Sequence, residues 1–338
     1  MRVTTQLLLL LLLLLLGSLS IGLPTGTSTS VGGGQPPSPQ EQEQLFLTVY
    51  GWGDFDTMAR TCTAFSCGDF TTCLPQLEVM RARYGVRGML GGPGVFTRGN
   101  WTFASGGLVP GWVQKTDTFI AAARPSCANG TVQSIFFGDE LVCSGVPLQN
   151  LTSVVDRVRA GLAGTGVKLY TNECGGGLNQ GTVAGCYKAE CRAEWAWPTV
   201  PAALDWLSID AYNEGNRDGA AEVALVRRRA EKVIFPRMHA GQSLVLVPGV
   251  FANSPAGCRR SGLRCPLAQQ SAQVVAKLRG YIAWAQTEPR IAGLHSWHLL
   301  NRTNPNHAPP WDQELGLVSM PDVVAELAKI KRSVTLYA

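Results

Sequence analysis

The sequence predicts a (β/α)8 barrel of the TIM type. Three observations point there. Short apolar runs alternate with longer runs of helical periodicity, residues 45–338 form a span of one barrel's length, and no Gly-x-Gly-x-x-Gly comes after a strand to open a helix. The last observation weighs against an open doubly wound sheet, which needs that turn to hold a dinucleotide.

At the N-terminus, Arg2 precedes an unbroken leucine run, Leu7–Leu16, and the small residues Gly17, Ser18, Ser20 and Gly22 come next. Residues 1–22 therefore read as a secretory signal peptide. The run is shorter than the roughly 17–25 residues that cross a bilayer. Residues 23–44 are rich in Gly, Ser, Thr, Pro and Gln and have few apolar groups. Such a tract cannot offset its chain entropy and reads as a disordered linker. Residues 45–338 read as a single barrel domain.

Within that domain the apolar strand candidates are Leu45–Tyr50, Val86–Leu90, Val132–Phe137, Val167–Tyr170, Leu204–Asp210, Leu244–Val250 and Ile291–Trp297. Their polar residues gather at the C-terminal ends, as buried parallel strands require. Helical patterns separate them, including Leu74–Tyr84, Leu151–Leu162, Ala220–Met238, Leu267–Gln286 and Pro321–Ile330. In the fourth of these, Val274, Val275, Leu278, Ile282 and Ala285 form one apolar stripe. Seven strands are evident, and the eighth is expected in the Gly-rich stretch Gly91–Pro110. Counting back from the last helix makes the Val132, Val167, Leu204, Leu244 and Ile291 strands the fourth to eighth.

Composition fits an exported chain. Ten cysteines form an even number with no zinc-type CxxC pairs, so an oxidising compartment and full pairing are expected. Cys258 and Cys265 share one short loop and are expected to bond. The sequons at Asn100, Asn129, Asn150 and Asn301 suit a glycosylated surface. The protein is expected to be secreted, with a lysosomal or other endomembrane lumen as the alternative location. No second segment is apolar enough to span a membrane, and a monomer is expected. The net charge of +5 is mild. The basic run Arg227–Arg229 lies in a helical pattern with no interleaved aromatics, which argues against nucleic acid. No phosphate loop points to a nucleotide, and no cofactor is expected.

In a barrel the chemistry sits at the C-terminal strand ends. The fourth strand ends Gly138-Asp139-Glu140, the fifth Asn172-Glu173, the sixth Asp210-Ala211-Tyr212, and the eighth His295-Ser296-Trp297-His298. Three neighbouring strands thus bring carboxylates toward one rim. On the sixth strand, alternation puts Leu207, Ile209 and Ala211 on one face and Ser208, Asp210 and Tyr212 on the other, toward the barrel mouth. Paired carboxylates flanking a bond are the machinery of glycoside hydrolysis. Glu140 ends a very apolar strand, where desolvation by Phe136 and Phe137 suits a general acid. Asp139 would hold it or orient a substrate amide, and Asp210 or Glu173 would be the second carboxylate. Trp297 and Trp52 would stack on a sugar ring, with Tyr212, Asn172 and His295 as further substrate contacts. Structural roles for the Asp and for both tryptophans stay open.

Gly138-Asp139-Glu140-Leu141 after an apolar strand resembles the Gly-Asp-Glu segment of the family-20 β-hexosaminidases. That resemblance implies Glu140 as acid and Asp139 as the residue assisting a substrate acetamido group. Asp210, Tyr212 and Trp297 are similar to features of the chitinase-like barrels. The chain departs from family 20 in the His expected before the glycines and from chitinases in their spaced aspartates. Asn172-Glu173 resembles the acid pair of the large retaining clan, but no Glu ends the seventh strand.

Other chemistries fit less well. The histidines His239, His295, His298 and His307 do not cluster, so no metal is expected. No Gly-x-Ser-x-Gly elbow occurs. A thiol nucleophile is not expected if all ten cysteines pair. The expectation is a secreted glycosidase cleaving O-glycosidic bonds, with a non-catalytic, lectin-like glycan-binding barrel as its rival; the carboxylate set favours the enzyme.

Overall fold

A computed structural model describes residues 45–51, 54–97, 106–142, 144–174, 197–210, 219–254, 258–259, 265–303 and 313–335. The signal peptide and linker expected over residues 1–44 lie outside the described residues. So do Trp52, Asn100, Cys143 and Tyr212, and the side chains of Cys174 and Asp210.

Eight parallel strands form a nearly closed barrel. They are β1 (Phe46–Val49), β2 (Ala64–Cys67), β3 (Arg87–Gly91), β4 (Val132–Asp139), β5 (Lys168–Cys174), β6 (Trp206–Asp210), β7 (Ser243–Val247) and β8 (Ile291–Ser296). Their order runs β1-β8-β7-β6-β5-β4-β3-β2. Thr63, just before β2, bridges the remaining seam. Its N–H donates to the Leu47 carbonyl at 2.8 Å, and its Oγ1 accepts from the Leu47 N–H at 2.8 Å. The bridge at Thr63 covers the edges of β1 and β2 at this seam.

The helices are α1 (Phe55–Thr61), α2 (Phe70–Tyr84), α3 (Trp112–Ala128), α4 (Leu148–Gly161), α5 (Gly219–Arg229), α6 (Leu267–Ala285) and α7 (Pro321–Thr335). Local chemistry sets their ends. Asp54 and Asp69 cap α1 and α2 by accepting from Thr57 and Thr71 N–H groups, and Gly85 ends α2 in the left-handed conformation. The run expected over Ala220–Met238 is α5 followed by a π-turn, Ala230–Ile234, and a 3-10 turn, Phe235–Arg237. The α6 stripe faces the core as expected, with Val274, Leu278, Ile282 and Ala285 buried.

Two expectations need correcting. The eighth strand is β2, not part of Gly91–Pro110. That stretch carries a short antiparallel hairpin, Phe96–Thr97 with Gly107–Leu108. Strand β2 is only four residues, Ala-Phe-Ser-Cys, close between two helices, so it has no long apolar run to announce it. Pairing also gives it away: Ala64–Cys67 lies in register with Arg87–Leu90. The second correction concerns the cysteines. Cys67–Cys73 and Cys258–Cys265 are bonded, the latter as expected, but Cys62 and Cys127 are buried free thiols. Burial pushes them up, Cys62 to about 11 and Cys127 to about 12, so both stay protonated and poorly nucleophilic.

The core has two shells. Outward-facing strand residues such as Leu47, Phe65, Leu90, Ile135, Leu169, Leu207, Leu246 and Leu294 pack with the helices. Inside, every strand contributes one residue to a single inner cluster, the barrel's inner layer: Phe46, Ala64, Met89, Tyr170, Trp206 and Val245, with Phe136 and Ala292 packed against them. Phe46 meets Trp206 with ring centroids 4.8 Å apart, and Phe136 meets Tyr170 at 5.1 Å. This layer plugs the barrel and forms the floor beneath its C-terminal mouth.

Candidate active site

The mouth is built from the side chains one residue pair above that layer. On β5, Tyr170 belongs to the inner layer, so Asn172 lies next on the same face. On β6 the corresponding step is from Trp206 to Ser208. On β4 regular alternation from Phe136 would put Gly138 inside and turn Asp139 toward the helices. It does not, because the strand bulges. Phe136 pairs with Tyr170 and Asp139 with Asn172, so three steps on β4 match two on β5. The extra residue re-aims the side chains beyond it. Gly138 absorbs the distortion with φ 151°. Asp139 thereby meets the inner side chain of Asn172, whose Nδ2 donates to Asp139 Oδ1 at 2.6 Å.

Glu140 is the next residue, half-buried, with φ 52°. It is the one non-glycine with a positive φ among the described residues. The left-handed conformation costs an ordinary side chain roughly 1–2 kcal/mol. Such strain persists only where the surroundings impose it. Here the Glu140 N–H donates to the Asn172 carbonyl at 2.9 Å and its carbonyl accepts from Ser144 N–H at 2.8 Å. Backbone bonds on both sides therefore hold Glu140 at the strand end.

Glu173 is placed differently. It shares the outward parity of Leu169 and Thr171 and is fully buried. Its Oε1 accepts from the Val142 N–H at 2.9 Å and so braces the turn that carries Glu140. Asp210 ends β6, paired with Cys174 of β5 and Val247 of β7.

A chain of polar side chains crosses the mouth below these carboxylates. Ser208 Oγ donates to Asn172 Oδ1 at 2.5 Å. Tyr170 Oη lies 2.6 Å from Ser208 Oγ and 2.9 Å from His295 Nδ1. The sequence flagged Asn172 and His295 and turned Ser208 toward the mouth, but did not flag Tyr170. Its inward parity was the available signal, since a Tyr inside an apolar barrel needs a partner. His295 is buried, and that burial pushes its pKa down to about 3, so the ring is neutral at any physiological pH.

Aromatic rings form the opposite wall. Trp297, half-buried, stands two residues above His295 on β8, and Tyr50 comes directly after β1, with ring centroids 4.4 Å apart. Tyr50 is 38% exposed. Phe251 stacks on His298 at 5.8 Å. Backbone bonds from Tyr50 N–H to Ser296 O and from Leu299 N–H to Tyr50 O, at 2.8 and 2.9 Å, fix this wall to β8.

Of the expected sequon sites, Asn129 and Asn301 are exposed and Asn150 is half-buried. Among the described residues no group of three His, Cys, Asp or Glu is placed to hold a metal ion, and no helix is long and apolar enough to cross a membrane.

No protein family matches the chain by sequence, and no curated protein does. Solved structures do share its fold. A β-glucuronidase of Faecalibacterium prausnitzii superposes with a TM-score of 0.51 at 12% identity over 85% of this chain, which spans 49% of that enzyme. The GH113 β-mannanase AaManA of Alicyclobacillus acidocaldarius gives 0.48 at 14% identity over 88% of this chain and 99% of the mannanase. A Rhizomucor miehei β-1,3-glucanosyltransferase gives 0.48 at 13% identity over 80% of this chain and 92% of that one. The chain is thus similar to glycoside-hydrolase barrels at the level of the fold.

Proposed function

We propose that this protein is a glycosidase acting on O-glycosidic bonds, with Glu140 as its general acid. The observation that carries the reading is the bulge at Gly138. It turns Asp139 into the mouth and leaves Glu140 beside it in a strained, doubly anchored conformation. Strain of this kind collects where function needs a side chain in one place.

In this reading a sugar ring lies against the Tyr50–Trp297 wall. Glu140 protonates the leaving oxygen. Asp139, fixed by Asn172, orients or stabilises the substrate group that meets the developing positive charge at the anomeric carbon. Asp210, at the end of the next strand but one, is the candidate for a second carboxylate. Glu173 supports the Glu140 turn rather than acting on substrate. Trp52 and Tyr212, outside the described residues, belong to the proposal as further sugar contacts. Export to the cell exterior or an endomembrane lumen, glycosylation at Asn100, Asn129, Asn150 and Asn301, and a monomeric state belong to the same proposal. The paired cysteines support that compartment.

The test is purified protein on a panel of aryl glycosides and natural glycans, with Glu140→Gln as control. Turnover reduced by roughly 100-fold or more in the variant supports the acid role. No turnover on any substrate, with glycan binding equal in both proteins, favours the lectin-like barrel.

A further inference from the structure

The polar chain in the mouth fixes more than the position of Asp139. Its protons can be counted. Asn172 turns its Nδ2 toward Asp139 and donates to that residue's Oδ1 at 2.6 Å. Its Oδ1 therefore faces Ser208 and takes that hydroxyl's proton. Ser208 has no second proton, so the 2.6 Å contact with Tyr170 must be bridged by the tyrosine's. Tyr170 Oη is then left to accept across the 2.9 Å contact with His295. His295 must carry its proton on Nδ1. These four contacts run one way, from His295 toward Asp139, and Nε2 is left with a bare lone pair.

That lone pair is buried and has no partner among the described residues. A second orphan stands beside it. Thr48 of β1 pairs in register with His295 of β8, and both come after inner-layer residues, Phe46 and Ala292, along their strands. Thr48 is 2% exposed, and its Oγ1 likewise lacks a partner among the described residues. Other buried polar atoms of the described residues also lack a partner, Ser134 Oγ and Asn253 Oδ1 among them, but these two stand at matched positions on neighbouring strands, which makes the pair a place for a bound group. Phe136 and Tyr50 flank the imidazole with ring centroids 5.5 and 6.1 Å away.

We propose that His295 Nε2 and Thr48 Oγ1 form the base of the sugar subsite, accepting from and donating to one neutral ring hydroxyl. The inference rests on the glycan-processing reading and adds a substrate class to it. A neutral hydroxyl satisfies both orphans at once. A uronate carboxylate would direct its own lone pairs at Nε2, and the ring stays unprotonated, so an acidic sugar is rejected at this position.

Long-range 1H–15N NMR of the full-length protein tests this, because it separates the two imidazole tautomers without any need for catalysis. The expected result is the Nδ1–H tautomer in the free protein. Its Nε2 resonance moves on addition of glucose or N-acetylglucosamine and stays in place with glucuronate. An Nε2–H tautomer overturns the proton count. A Nε2 signal that no sugar moves overturns the subsite and leaves a buried water as the occupant. An equal response to glucuronate overturns the selectivity. His295→Leu is expected to bind the neutral sugar roughly tenfold more weakly, and His295→Gln, which keeps an acceptor, less so. Failure of the hydrolase reading looks different. Glycosides are then not turned over, while the tautomer and the neutral-sugar response are still as stated.

Discussion

Two polar clusters are buried in this barrel, one closed and one open-ended. Between α5 and α6, Lys277 Nζ lies 3.2 Å from Glu222 Oε2, and Tyr281 Oη donates to Glu222 Oε1 at 3.3 Å. All three are almost fully buried, and the charges match. Inside the barrel, the chain from His295 through Tyr170, Ser208 and Asn172 holds no cation. It starts at an imidazole nitrogen with no protein partner among the described residues and ends at Asp139, half-buried at the mouth. A cluster satisfied on all sides locks two helices together. One that ends in an unfilled acceptor and a carboxylate is arranged for something that arrives later.

The sharpest way to break this contrast acts on Glu140, beside the open end. Glycine adopts φ 52° without steric cost, so Glu140→Gly removes the proposed acid and relieves the backbone together. The expected outcome is turnover lower by roughly 100-fold or more, with stability raised by about 1 kcal/mol. Chemical denaturation beside the aryl-glycoside assay reads both. A variant that is both inactive and less stable would mean that Glu140 serves the fold and that the two clusters do not differ in kind.

Lys277→Met tests the closed cluster. It strands the Glu222 carboxylate inside the helix layer, and breaking a buried pair costs about 3–5 kcal/mol. Burial already pushes the Lys277 pKa down, against the pull of Glu222. Adding Glu222→Leu should restore most of the loss, since well-packed apolar residues replace such pairs at little cost. Activity per folded molecule should not change in either protein, because the pair lies in the helix layer. Altered kcat in the folded double variant would tie this interface to the mouth.

Sequence periodicity located seven of the barrel strands and the order of the last five, because each is a run of apolar residues long enough to register. It missed β2 because closure there depends on Thr63 and on pairing to β3, neither of which leaves a local pattern. The carboxylates at the rim were legible by type. Their directions were not, since the bulge in β4 is visible only in its pairing with β5, and one extra residue reverses the face of every residue after it. The direction of Glu173 was hidden in the same way. Its burial against Val142 N–H depends on which way the β4–α4 turn folds back. Tyr170 was passed over because a lone hydroxyl in an apolar strand reads as packing until its neighbour across the barrel is known.

Acid should separate the clusters by a smaller margin. His295 stays unprotonated in the folded state down to about pH 3, whereas an exposed imidazole in the unfolded chain takes up a proton below about 6.5. The unfolded state binds more protons in that window, so stability falls as pH falls, by roughly 1.4 kcal/mol per unit, and is unaffected by this group above it. Between pH 6.5 and 5 the expected loss from His295 is about 2 kcal/mol. Most carboxylates stay ionised in both states over that range. Denaturation curves for wild type and His295→Gln at these two pH values isolate the contribution. Parallel pH dependence in the two proteins would show that the folded state takes up a proton on this ring as readily as the unfolded chain does.

The smallest effect belongs to a pair with the chemistry of Lys277–Glu222 but none of its burial. Arg157 of α4 grips Asp117 of α3 through Nε and Nη2 at 2.7 and 2.6 Å, with side chains 38% and 51% exposed. The guanidinium holds the Asp117 carboxyl below its usual range. The geometry is bidentate and better than that of the buried pair, yet water screens both charges and each remains solvated when the other is removed. Arg157→Ala should therefore leave the thermal midpoint almost unchanged, with any small loss disappearing in high salt. A drop close to that of Lys277→Met would mean that pairing itself, rather than the burial of an uncompensated charge, stabilises the helix layer. The closed cluster would then owe its weight to geometry, and its contrast with the open chain in the mouth would have to be drawn on other grounds.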